Sequence, residues 1–196
     1  ELYGLLFFEL MRDPEAKAAL EEIAKRLNVT TALPSQGRLI AGPETQQTLV
    51  AAIAGEYMGK GPKRGLVYSW VPLHLGDAKN NCSPRTFLTA WKTAAEHNPA
   101  PQRLVVDHLG LNEGVRRASS ARLSELREDY PYIDIALEPL RRQFVPIEKA
   151  SLFELWRSKN VAEGIRARAG EEKALAPIGV SIEGSEDALL RTLTSI

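Results

Sequence analysis

Apolar positions recur along this chain mostly at three- and four-residue intervals, the period of a helix with one buried face. Leu2, Leu5, Leu6 and Leu10 set the stripe at the start, and Phe7 and Phe8 widen it until the segment is apolar nearly all round. Such a helix has to be covered on most of its sides. Asp13-Pro14-Glu15 then supplies an N-cap, a proline at the first helical position and an early acid, after which Ala16, Leu20, Ile23 and Leu27 carry a second helix to about Asn28. A β-branched stretch and Pro34-Ser35-Gln36-Gly37 make a connector. A third helix opens at Gly42-Pro43-Glu44, carries Leu49, Ile53 and Tyr57 on one face, and is stopped by Gly59-Lys60-Gly61-Pro62.

The apolar run Leu66-Val67-Tyr68-Ser69-Trp70 reads as a short strand closed by Pro72. Ser83-Pro84-Arg85 starts the next helix, with Phe87, Leu88, Trp91, Ala94 and Ala95 on one side and Asn98-Pro99 at its end. A longer helix is predicted from Leu111 to Asp129, with Val115, Ala118, Leu123 and Leu126 inward. Tyr130-Pro131 breaks it. A shorter helix follows through Ile135 and Leu140, then an extended Phe144-Val145-Pro146-Ile147, then a helix from Glu148 to Arg157 carrying Leu152, Leu155 and Trp156. Ala169 to Gly184 mixes charge, proline and glycine around Ile178-Gly179-Val180-Ser181-Ile182, a strand or a linker. Ser185 caps a last helix with Glu186 and Asp187 in its first turn and Leu189, Leu190, Leu193 and Ile196 on its apolar face. The pattern predicts a mainly α chain of roughly eight helices with at most a few short strands. Residues 1–98 read as a helical, lid-like bundle, and residues 99–196 as a helical domain with winged-helix-like character, divided near Asn98 to Pro101.

The chain has 196 residues, which suits one large domain or two small ones of roughly 100 residues each. Its 25 basic and 25 acidic residues cancel, and neither half hides a polycation: residues 1–98 hold 11 basic against 10 acidic, residues 99–196 hold 14 against 15. Nucleic-acid affinity resting on bulk charge is not expected. The single Cys82 excludes an internal disulfide framework and every four-cysteine zinc module, and points to a reducing, cytoplasmic setting. No apolar run approaches the roughly 18 residues of a membrane span. The opening Glu1-Leu2-Tyr3, without initiator Met or basic stretch, and the apolar face still running at Ile196 predict a piece of a longer polypeptide.

Candidate chemistry is sparse. Gly55-Glu56-Tyr57-Met58-Gly59-Lys60-Gly61 superficially resembles a phosphate loop, but its glycines follow a helix, one spacer residue is missing and Gly61 replaces the metal-binding hydroxyl. A helix C-cap and turn is the expected reading. His74, Asp77, Cys82, His97 and His108 are suitable zinc ligands, yet their spacing matches no ligand pair, and His74 reads as a packed histidine bonded to backbone. Gly179-Val180-Ser181-Ile182-Glu183-Gly184 falls one residue short of a nucleophile elbow, and nothing forces a thiolate in a Cys82–His97 pair. Two features are sharper. Arg85 stands in the first turn of a helix, where free amides and the dipole favour an anion and a guanidinium can bind phosphate bidentately. The bland alternative is a surface arginine paired with a neighbouring acid. The short helices from Asn112 to Arg157, joined by proline turns, suit a winged-helix DNA-binding module, but Arg116, Arg117, Arg122 and Arg127 are interleaved with Glu113, Glu125 and Glu128 as on a solvated face.

Three segments taken together, Leu2-Tyr3-Gly4-Leu5-Leu6, Gly65 to Ala78 with Ser83-Pro84-Arg85-Thr86-Phe87-Leu88, and Ser124-Glu125-Leu126-Arg127-Glu128-Asp129-Tyr130-Pro131, resemble the region after the nucleotide-binding core of large bacterial P-loop ATPases. The nearer likeness is to the ParA/MinD-like group with a deviant phosphate loop, the looser one to STAND and KAP-type ATPases; it covers about residues 1–158. The resemblance implies a non-catalytic accessory region whose missing N-terminal core binds ATP and Mg. It also implies that Arg85 matches a Pro-Arg step that senses bound nucleotide, and that the partners are that core or another protein, with DNA the alternative and no membrane. No catalytic residue and no metal ligand are expected here.

Overall fold

The structure, a computed structural model, describes residues 1–34, 42–144, 146–172 and 186–195. These contain ten α-helices and no strand, with two isolated antiparallel bridges, Tyr57 to Leu66 and Gly76 to Cys82. The fold is mainly helical. Two compact units make up the chain: Glu1–Gly76 with Asn80–Ser120, and Asp77–Lys79 with Ala121–Ile196. The first runs past the step expected near Asn98 to Pro101, because Val106, Leu111, Val115 and Ala118 belong to its core.

The first unit holds α1 (Leu2–Leu10), α2 (Pro14–Arg26), α3 (Pro43–Ala54), α4 (Val67–Leu75), α5 (Pro84–Ala95) and the opening turns of α6 (His108–Asp129). Neighbours pack in the order α2, α3, α4, α5, α1. The Asp13 carboxylate accepts the amides of Glu15 and Ala16 at 3.0 and 2.9 Å, so α2 starts where its cap, proline and acid predict. At the centre the Tyr3 ring stacks on Tyr68 at 4.5 Å and meets Phe87 and Trp91 edge-on, while its hydroxyl donates to the Val67 carbonyl at 3.3 Å. Burial pushes the Tyr3 phenol well above its ordinary pKa. Phe8, on the opposite flank of α1, stays exposed.

Three expectations need correction. The run at Leu66–Trp70 is helical, as the start of α4: Val67 and Val71 are fully buried four residues apart, a helical spacing that a five-residue apolar run cannot distinguish from a strand. Pro72 lies inside α4, where it removes only the amide that would reach the Tyr68 carbonyl. Helix α3 ends at Gly55, whose φ of +83° ends the helical path, so Tyr57 leaves the helix face and pairs with Leu66 instead. Helix α6 begins at His108 rather than Leu111, because Asp107 caps it by accepting the amides of Leu109 and Gly110 at 3.0 and 2.9 Å.

Against α5, α6 comes unusually close. A Cβ on Gly114 would lie 2.1 Å from the Ala90 carbonyl oxygen, and one on Gly110 would lie 2.8 Å from that of Ala94. Small residues on both helices let the backbones touch.

The second unit contains the rest of α6, then α7 (Ile133–Leu137), α8 (Lys149–Ser158), α9 (Val161–Glu172) and α10 (Glu186–Leu193). Its core gathers Tyr132, Ala136, Leu152, Trp156, Val161, Ile165 and Leu189, with the Trp156 indole donating to the Ala136 carbonyl at 3.0 Å. Helix α9 was not among the predicted elements. Its apolar pair Val161 and Ile165 is separated and followed by charged residues and two glycines, which dilute the periodicity. The connector Ser35-Gln36-Gly37, Val145, the run Ile178–Ile182, the cap Ser185 and Ile196 lie outside the described residues.

Candidate functional site

The glycines of Gly55–Gly61 follow the C-terminus of α3, with Gly55, Gly59 and Gly61 all at positive φ, and Met58 donates its amide to the Gly65 carbonyl at 2.9 Å. That is a turn behind a helix, in place of amides aimed from a helix start. His74 is exposed rather than packed: its Nδ1 bonds the Trp70 carbonyl at 2.8 Å, and its ring stacks on Trp70 at 3.9 Å. Cys82 is half-buried, and burial raises its thiol pKa, away from a reactive thiolate. Among the described residues no three or more of His, Cys, Asp and Glu converge as a metal site. The serine of Gly179–Gly184 lies outside them.

On α6 the arginines are tied down locally. Glu113 accepts from Arg117 at 2.6 Å and from Arg116 at 2.7 Å, and these bonds, that from Arg117 foremost, hold its carboxyl below the usual glutamate range. Arg127 pairs with Asp134 at 2.8 Å.

Arg85 is exposed in the first turn of α5. Ser83 stands at the cap position but makes no side-chain cap bond to the helix, so the start of α5 is set by Pro84 at the first position and not by the serine hydroxyl. From there the guanidinium borders a groove of about 730 Å³. Leu6 and Leu10 from α1 and Leu88 and Trp91 from α5 form its two helical walls, and Ile53, Val105 and Val106 close its base. Arg85, Lys92 and Glu96 line the α5 side, where Lys92 and Glu96 pair loosely at 4.0 Å, and Glu9 lines the α1 side, 3.0 Å from Arg12.

The base is held by one carbonyl. Ile53, in the last turn of α3, offers an oxygen that has no partner within the helix, and the amides of Val105 and Val106 both donate to it, at 2.9 and 3.2 Å. Val106 is thereby buried while Val105 keeps 63% of its surface exposed. Trp91 is 5% exposed, and its buried indole N–H has no hydrogen-bond partner among the described residues. An orphaned buried donor costs about 1–3 kcal/mol, and most such groups in folded proteins are satisfied. Chemically the groove offers apolar contact area, with charged side chains from α5 and α1 among its lining residues.

No protein-family model matches the chain, and no curated protein and no solved structure matches it. The groove rests on this structure alone. Sequence reasoning reached Arg85 but missed Trp91 and Val105 as parts of the same surface. The available signal was Leu104-Val105-Val106, an apolar triplet just before a capped helix and outside every predicted element.

Proposed function

We propose that this chain is a non-catalytic regulatory or coupling region of a multidomain bacterial P-loop ATPase, transmitting the state of a nucleotide-binding core through contacts within the polypeptide or with another protein. The observation that carries the reading is the position of Arg85: the residue matching the Pro-Arg step borders an open apolar groove, where a neighbouring domain would bury surface and meet a fixed cation. ATP and Mg belong, in this reading, to the core and not to this region. Support for winged-helix DNA binding in residues 99–196 is weaker, since the basic side chains Arg127, Lys149 and Arg157 are spent on Asp134, Asp187 and Glu186.

The test is a paired one. Isothermal titration of this chain with Mg-ATP should be flat, because the only phosphate-loop-like stretch follows a helix. In the full-length parent, Arg85→Ala should lower turnover or nucleotide affinity while leaving the melting temperature of this chain nearly unchanged. Unchanged turnover and affinity would return Arg85 to an ordinary surface role, worth about 0–1 kcal/mol.

A further inference from the structure

We draw no further inference here: the strongest candidate, the apolar groove between α1 and α5, carries nothing because its charged lining residues are already partnered and nothing in the structure shows what covers it.

Discussion

A methyl group at Gly114 has nowhere to go: its carbon would lie 2.1 Å from the Ala90 carbonyl oxygen, and the obstruction is backbone rather than a side chain that can swing away. Two effects of opposite sign meet here. Alanine is the better helix former by about 1 kcal/mol, and overpacking costs about 1–3 kcal/mol or more when helices must separate. The clash should win, so Gly114→Ala is expected to lower unfolding free energy by about 2 kcal/mol. Gly110→Ala, with 2.8 Å available, should cost less. Urea unfolding of the two variants decides this, and a Gly114→Ala protein as stable as the parent would mean the α5–α6 approach is looser than described. Trp156 makes the matching case in the second unit, where its ring is buried and its N–H is spent on the Ala136 carbonyl. Trp156→Phe should destabilise through both lost volume and an orphaned carbonyl, whereas Phe153→Leu, at a half-buried position, should be milder.

Elements are joined by small numbers of specific groups, and one such joint titrates. Asp187 in the first turn of α10 accepts from Lys149 of α8 at 2.5 Å and also pairs with Arg191. The Lys149 bond is the main cause holding its carboxyl below the usual aspartate range. A lowered folded-state pKa adds stability above the unfolded value, near about 3.9, and that stability is lost as pH falls through the lower folded value. Because the pair is exposed, the effect is small and screened by salt. Wild type should therefore lose more stability than Asp187→Asn between about pH 5 and 2 in low salt, and the gap should shrink in about 1 M salt. Identical acid profiles would remove Asp187 from the joint. The same locality explains what could be read from sequence. Helix α2, with a cap, a proline and an unbroken stripe, is legible because each signal is local, and α8 is legible from the spacing of Leu152, Leu155 and Trp156 alone. The start of α6 was marked as well, by Asp107, but it lay upstream of the apolar stripe. Helix α4 was not legible, since Leu66–Trp70 fits both periods and only the burial of Val67 and Val71 chooses between them. Arg85 could be singled out from its Pro-Arg context, but the groove beside it needs Leu6, Ile53 and Val105, three segments far apart in sequence that only folding brings together.

For the molecule as a whole, charge balance sets the expectation for nucleic acid. Specific readers neutralise several phosphates with a basic face, and here the α6 arginines Arg116 and Arg117 share Glu113 while Arg127 and Arg157 hold acids of their own. A gel shift on mixed duplex at about 150 mM salt should show nothing tighter than roughly 10⁻⁶ M. A selected sequence bound in the nanomolar range would make DNA the principal partner. No helix among the described residues is long and apolar enough to cross a membrane. The bifurcated Ile53 carbonyl carries a further consequence for deuterium uptake. Val105 and Val106 hang on one oxygen, so their amide protons share a single opening event, the fraying of the last turn of α3. They should exchange together at nearly equal protection factors despite their very different side-chain burial, and a ligand seated in the groove should slow both in step with the amides at the end of α3.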